Sequence, residues 1–179
     1  MPDCIILNPK MHPNPEYQEI CGAGITFVLL RKLAQHFTVP QETWSDILAL
    51  VGMATICDVV PLNGVNHKLA NMGVKALLKS HRPVLRRLRE ACALEDGLDE
   101  KDVGFRIGPR INAVGRLSHA KEVIAAFIND DPEPLVQFMG TCNEERKLIQ
   151  TRIVSEALMM AQRYPEDLLL FLGKEGWHP

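Results

Sequence analysis

Apolar residues run almost without interruption from position 47 to position 62, the longest such stretch in the chain. Setting its cysteine aside, the only side chains with polar groups within it are Thr55 and Asp58. Its sixteen residues are more than an ordinary strand contains. The pattern therefore predicts a buried helix that begins with Ser45 as N-cap and runs into a turn around Asp58.

Apolar residues with helical spacing predict four further helices, over positions 25–37, 67–79, 119–129 and from Pro134 to a point before Pro165. Ser118 is the expected cap of the third. The fourth has nearly thirty residues, roughly 40 Å, and suits a connection between two lobes. The glycines that open the first helix suit close packing or an amide site for phosphate.

Two short apolar runs, at 3–7 and 168–172, predict strands of a parallel or mixed sheet. A protein seldom begins inside its own sheet, and the second run has no sheet of its own to join. We therefore expect further polypeptide on both sides of this chain.

The composition is that of a globular protein, with 46% hydrophobic and 23% charged residues. The net charge of −2 means that any contact with nucleic acid must come from a local patch. Five cysteines without a Cys-x-x-Cys pair indicate reduced thiols. With no signal peptide and no membrane-length apolar segment, we expect a soluble cytoplasmic protein and no membrane partner.

Asp58 requires an explanation, because burying an ionised carboxylate without a partner is costly. The residues leave two roles open. Asp58 can cap the helix or accept backbone amides in the turn before Pro61, or it can be a ligand for a hard divalent cation, which prefers carboxylate oxygen.

Positions 105–117, with two glycines and a proline after position 107, predict a loop. Arg110 and Arg116 flank Asn112 there, and a guanidinium fork suits phosphate oxygens. These arginines can hold a phosphodiester backbone or pair with carboxylates. The basic run at 79–89 and the acidic run at 95–102 can form solvent-exposed faces of helices and loops, or they can attract phosphate groups electrostatically.

Three strings, ATICDVVPL, GPRINAVGRL and the final EGWHP, resemble in order the later motifs of RecJ-type single-stranded-DNA-specific exonucleases of the DHH phosphoesterase superfamily. The segments LNPK and CGAGITF also resemble the part of that family that follows the Asp-His-His motif. The resemblance covers nearly the whole chain.

The resemblance implies an α/β fold: a helix-rich C-terminal part of the phosphoesterase domain (1–132), a long connecting helix (133–164) and the first strand of a second α/β lobe (165–179). It implies 5′ to 3′ hydrolysis of single-stranded DNA in repair and recombination, with Mn²⁺ or Mg²⁺. Asp58 falls on the family's later metal-binding aspartate. Arg110, Asn112 and Arg116 fall on the DNA-facing motif, with Arg116 expected to contact phosphate. Trp177 and His178 match the opening of a motif in the second lobe.

The family's earlier metal motifs, including the Asp-His-His triplet, have no counterpart in this sequence. We therefore assign no catalytic residue, and we expect that the chain alone neither binds the metal tightly nor cleaves DNA. Two alternatives are a phosphodiesterase of the same superfamily that acts on small nucleotides and a non-catalytic nucleic-acid-binding scaffold.

Overall fold

The computed structural model describes residues 3–94, 97–117 and 121–177, without the side chains at 113–117 and 138. Two 3₁₀ turns, Pro9–Met11 and Pro15–Tyr17, come first. The helices that follow are α1 (Gly22–Leu33), α2 (Gln41–Cys57), α3 (Gly64–Lys79), α4 (Pro83–Ala91), the short α5 (Glu100–Asp102), a π-helical segment (Val103–Ile107), α6 (Gly108–Leu117), α7 (Lys121–Asn129) and α8 (Pro132–Ala161).

The closest helix contact is the crossing of α2 and α3, where two buried glycines face each other. A Cβ atom on Gly52 would lie 2.5 Å from the Cα of Gly73 and 3.2 Å from the carbonyl oxygen of Leu69. Real Cβ atoms do not approach backbone that closely, so only glycine allows the two helix backbones to touch here. This crossing positions α2, which carries Asp58 at its C-terminal end.

The core lies between α2, α3, α4, the π-helical segment and the first half of α8. Its largest fully buried side chains are aliphatic or sulfur-containing residues from these elements, namely Leu77, Leu85, Leu88, Ile107, Leu135 and Met139. Arg89 joins two of the elements by donating to the last carbonyls of α3, including that of Leu77. The core therefore fixes the ends of helices as well as their faces.

The predicted long helix is confirmed. Helix α8 has 30 residues, about 45 Å at the usual rise per residue. Its first half buries Leu135 and Met139 in the core, whereas apolar side chains of its second half, such as Val154 and Leu158, are exposed. The helix thus begins in the core and extends beyond it.

The two predicted strands are absent, because the described residues contain helices and turns but no strand. The runs at 3–7 and 168–172 are irregular, and Ile5, Leu168 and Phe171 are exposed. A strand needs a partner for its backbone donors and acceptors, and the described residues contain no other strand with which either run could pair.

The predicted loop at 105–117 is also wrong, since these residues are helical. Gly108 and Pro109 occupy the first turn of α6, where proline is tolerated. The helix α2 begins at Gln41 after Pro40, so Ser45 is inside it and is not its cap. The predicted cap Ser118 and the helix start at His119 fall outside the described residues.

The basic run at 79–89 is used for packing and ion pairs. Arg82 pairs with Asp130 at 3.3 Å, and Arg87 pairs with Glu133 at 3.2 Å. Gly24 of α1 is buried, with its missing Cβ position 3.5 Å from a methyl group of Leu69, which favours the packing role of the first glycines. Of the helices in the described ranges, none is both long and apolar enough to cross a membrane.

Gly52→Ala is expected to lower the free energy of unfolding by about 1–3 kcal/mol, because the added methyl group meets the backbone of α3. Gly140→Ala is the matched control, since no atom lies within 4 Å of its Cβ position. It should raise the free energy of unfolding by up to about 1 kcal/mol. Urea denaturation of both variants checks the pair, and equal effects would contradict the close crossing.

Candidate functional site

Asp58 is the C-cap residue of α2, and its backbone N–H donates to the carbonyl oxygen of Ala54 at 2.9 Å. Its side chain is exposed, so the expectation of a buried carboxylate is wrong. Helix α2 ends at Cys57, and the chain reaches the surface at Asp58. The apolar run of the sequence is therefore not buried to its end. Within the described residues, the carboxylate forms no hydrogen bond and no ion pair.

The position of this carboxylate is electrostatically unfavourable for the fold. The C-terminus of a helix carries a partial negative charge, and α2 has no basic residue in its last turn. The Asp58 carboxylate adds a full negative charge at that end. The alternative in which Asp58 stabilises a turn by accepting backbone amides receives no support from the hydrogen bonds, whereas a cation would be attracted there.

The two most informative stretches of the sequence meet at this end of α2. A Cβ atom on Gly108 would lie 2.9 Å from Sγ of Cys57, and one on Gly104 would lie 3.5 Å from a methyl group of Ile56. The last turn of α2 therefore rests on the start of the helix that contains the Gly-Pro-Arg motif. Burial, with a smaller contribution from the Asp58 charge, raises the pKa of the Cys57 thiol.

The π-helical segment explains how a proline lies within a nearly continuous helix. Pro109 lacks an N–H and its ring crowds the carbonyl four residues earlier, which would break an ordinary α-helix. Here the N–H of Gly108 donates to the carbonyl of Val103, one residue further back than in an α-helix. The wider turn accommodates the proline and leaves Gly108 facing Cys57.

The Arg110 side chain is partly buried. Its Nη1 donates to the carbonyl oxygen of Arg106 at 2.5 Å. Burial raises the pKa of the Cys92 thiol, and the nearby charge of Arg110 and its hydrogen bond to the sulfur offset part of that increase. Arg106 is held by Asp102 at 3.1 Å and by the carbonyl oxygen of Cys92 at 2.6 Å, which gives it a structural role.

The three motif positions do not share one side of α6. An α-helix turns about 100° per residue, so positions 112 and 116 lie about 40° apart around the axis and position 110 lies about 120° or more from both. Asn112 is exposed. The side chain of Arg116 lies outside the described residues. The helix thus brings positions 112 and 116 to one side and separates position 110 from them.

Trp177 contacts the second half of α8. Its indole N–H donates to Oε2 of Glu156 at 2.8 Å, and Lys174 donates to the same oxygen at 3.1 Å. The Trp177 hydrogen bond, followed by those of Arg152 and Lys174, lowers the pKa of Glu156 to about 2. His178 falls outside the described residues. The observed role of Trp177 is to hold the segment after α8 against that helix.

The described residues do not form a complete metal centre. They contain no group of three or more histidine, cysteine, aspartate or glutamate side chains placed to hold an ion. Asp58 offers one hard oxygen ligand that no other described residue occupies, which suits Mn²⁺ or Mg²⁺ as one ligand among several. The described residues thus supply one candidate ligand for such an ion and not a full set of ligands.

The sequence reasoning missed the contact between Cys57 and Gly108 and the backbone of Val59, which has a positive φ of 55°. A glycine in the Gly-Pro-Arg motif was visible, but its spacing from α2 gave no signal of a contact. A valine with positive φ cannot be recognised from sequence, because valine disfavours that conformation.

Comparison with known proteins confirms the resemblance. No family model matches the chain. The single-stranded-DNA-specific exonuclease RecJ of Bacillus subtilis is 30% identical over 181 residues, covering 97% of this chain and 22% of that protein. RecJ of Thermus thermophilus is 32% identical over 181 residues, covering 99% of this chain and 26% of that protein. The chain spans about a quarter of the length of these curated relatives.

Solved structures agree with the sequence comparison. A crystal structure of exonuclease RecJ bound to manganese superposes with a TM-score of 0.72 at 30% identity, over 85% of this chain and 39% of that chain. The crystal structure of Thermus thermophilus RecJ in complex with Mn²⁺ gives a TM-score of 0.73 at 30% identity, over 86% of this chain and 23% of that chain. The chain therefore shares the fold of the corresponding part of RecJ.

Asp58→Asn is expected to raise the free energy of unfolding by about 0.3–1 kcal/mol, because it removes a negative charge from the negative end of α2. Asp46→Ala is the control, since it removes the Oδ1 that accepts the Ser80 hydroxyl at 2.6 Å. It should lower that free energy by about 0.5–1.5 kcal/mol. Chemical denaturation measures both, and a loss for Asp58→Asn would show that the carboxylate stabilises the fold.

Proposed function

We propose that this chain is a segment of a single-stranded-DNA-specific exonuclease of the RecJ type, which hydrolyses phosphodiester bonds in the 5′ to 3′ direction in DNA repair and recombination. The support is its similarity to RecJ proteins over nearly its whole length, in sequence and in fold. Because the chain spans about a quarter of those relatives, the activity is that of the whole protein.

We further propose that Asp58 is one ligand of the metal site. The observation that carries this proposal is an exposed carboxylate with no described partner at the negative end of α2. The related crystal structures hold Mn²⁺ or Mg²⁺. A bound ion of this kind activates water and stabilises the departing oxygen. The contribution of this chain is to hold the Asp58 oxygen in place, and the remaining ligands are other residues of the complete site.

The proposed DNA contacts are Arg110, Asn112 and Arg116. Positions 112 and 116 lie on one side of α6, which starts against the end of α2 beside Asp58. An exposed amide and a guanidinium one turn apart suit successive oxygens of a phosphodiester backbone. Arg110 lies on another side of the helix, so its proposed contribution is to the local positive potential through a partly buried guanidinium.

We propose the division of the chain into the end of a phosphoesterase domain (1–132), a connecting helix (133–164) and the start of a second lobe (165–179). The burial of α8 supports it, because only the first half of that helix packs in the core. The exposed apolar side chains of its second half are suited to further packing.

The direct test of this function is a chimera in which the chain replaces the corresponding segment of Thermus thermophilus RecJ. We expect Mn²⁺-dependent degradation of single-stranded DNA by the chimera. Asp58→Asn in the chimera should reduce the rate by at least about 100-fold, since losing a ligand should exceed the 10- to 100-fold loss caused by removing a ligand's hydrogen-bonding partner.

Asp131→Asn is the control for this test, because Asp131 is an exposed aspartate at the start of α8 whose side chain caps no backbone amide. Its chimera should degrade DNA at the unchanged rate. A fully active Asp58→Asn chimera would contradict the metal-ligand assignment. Competition that favours a dinucleotide over single-stranded DNA would point to a small-nucleotide phosphodiesterase, and an inert chimera that still binds DNA would point to a scaffold.

Arg116→Ala in the chimera is expected to weaken binding of single-stranded DNA and to reduce the slope of log K against log salt by about 0.7, the value of one phosphate contact on a single strand. Arg163→Ala, the same charge change at an exposed position after α8, is the matched control and should leave the slope unchanged. Fluorescence anisotropy at several salt concentrations measures both slopes. Equal slopes for Arg116→Ala and the unmodified chimera would assign Arg116 a structural role.

A further inference from the structure

A pocket of about 350 Å³ lies where α1, α2 and α3 meet, near the start of α2. Asp58 follows the other end of that helix, about 20 Å away at the usual rise per residue. The pocket is lined by aromatic, apolar and polar side chains of the three helices, among them Phe27, Arg31, Trp44, Ser45, Leu48 and Met72. Apolar walls with a few polar groups are typical of ligand-binding sites.

The aromatic wall of this pocket carries a positive charge. The rings of Phe27 and Trp44 meet edge to face, with their centroids 6.0 Å apart. The guanidinium carbon of Arg31 lies 5.2 Å from the centroid of the Trp44 ring. Arg31 is exposed and pairs with no carboxylate in the part of the chain that the structure describes. Its planar guanidinium is therefore held beside an indole and is available to a ligand.

A hydroxyl group in the same pocket is also available. Ser45 is half-buried, and its hydroxyl forms no hydrogen bond with another described residue. A ligand that uses all of these groups needs a flat face for the rings and the guanidinium, and a polar edge for the hydroxyl. A nucleobase has both features, and bases stack on aromatic rings and on arginine in proteins that bind single strands.

A row of lysines extends along α3 on both sides of Met72. Lys68, Lys75 and Lys79 are exposed, lie within about 60° of Met72 around the helix axis and span about 16 Å along it. Together α1 and α3 contain five basic residues and no acidic residue, whereas the first turn of α2 adds Glu42. The chain as a whole has a net charge of −2. This surface is thus a local positive patch of the kind that contacts nucleic acid.

We propose that this pocket is a subsite for an unpaired base of single-stranded DNA, and that the lysines of α3 contact the phosphates beside that base. The identity of the ligand rests on the proposed function. Because the pocket lies about 20 Å from Asp58, the base it holds is several nucleotides from the bond that the complete enzyme hydrolyses. The subsite anchors the strand and takes no part in the chemistry. Stacking groups beside a positively charged groove bind single strands without sequence preference.

Arg31→Lys tests the stacking, because it keeps the charge and removes the planar guanidinium. Fluorescence anisotropy measures binding of oligo(dT) and of an abasic strand of equal length to the Thermus thermophilus RecJ chimera, with EDTA present to prevent cleavage. We expect oligo(dT) to bind about 5- to 10-fold more weakly and the abasic strand to bind as before, since it has phosphates but no bases. Arg163→Lys, the same change at an exposed position after α8, is the matched control and should affect neither strand.

Trp44→Leu tests the aromatic wall, because leucine fills part of the space without offering a ring. It should weaken binding of oligo(dT) about tenfold and leave binding of the abasic strand unchanged. Trp44→Phe restores a ring and should recover most of the affinity. A merely structural role of Trp44 would weaken binding of both strands equally. If Trp44→Leu does not fold, Arg31→Lys decides, since its side chain is exposed.

Lys75→Ala tests the lysine row. It should reduce the slope of log K against log salt by about 0.7 for both strands, because both contain the phosphates. Lys101→Ala, which removes the same charge from exposed α5, is the control and should leave both slopes unchanged. An unchanged slope for Lys75→Ala would overturn the phosphate contact.

The two strands separate the possible outcomes. Equal losses on both strands for Arg31→Lys and Trp44→Leu would overturn the base subsite, and so would no loss on either. In the second case, binding of an acidic peptide that these variants weaken would assign the pocket to a protein partner. A chimera that binds bases in this way but does not degrade DNA with Mn²⁺ would contradict the nuclease proposal alone. An active chimera whose oligo(dT) binding is insensitive to Arg31→Lys would contradict the subsite alone.

Discussion

The structure depends on the close crossing of α2 and α3 at Gly52 and Gly73. Backbone contact between two helices excludes side chains at the crossing and sets the position and tilt of α2 over its whole length. The aliphatic core then packs around this pair, with the first half of α8 on its other side. Because α2 is fixed in this way, its C-terminal end is fixed as well, although that end is at the surface.

The same use of glycine recurs where α2 ends. Gly104 and Gly108 allow the side chains of Ile56 and Cys57, in the last turn of α2, to approach the backbone of the π-helical segment and of α6. This contact brings the Asp58 carboxylate to the base of the helix that carries Asn112 and Arg116. The carboxylate proposed as a cation ligand and the helix proposed to contact phosphate thus lie on neighbouring elements that pack closely against each other.

The sequence predicted the long helix well, but it predicted the segments without an obvious helical spacing poorly. The long helix followed from apolar residues every three or four positions, and it is present as Pro132–Ala161. The loop at 105–117 was wrong because glycine and proline were taken as breakers, whereas a π-helical turn accommodates Pro109 and tight packing favours Gly108. The strands predicted at 3–7 and 168–172 are not confirmed, because both runs are irregular in the structure and an apolar run forms a strand only beside a partner.

By itself, the sequence determined the family resemblance, the helical periodicity and the residue types of the candidate site, because these are properties of local order along the chain. It did not determine that Asp58 is exposed, that its carboxylate has no partner among the described residues or that Val59 is strained. Tertiary structure decided these features, since burial and backbone strain depend on which distant residues, here Gly108 against Cys57, come into contact. Charge and geometry at the end of α2 are therefore products of packing between segments that are some fifty residues apart in sequence.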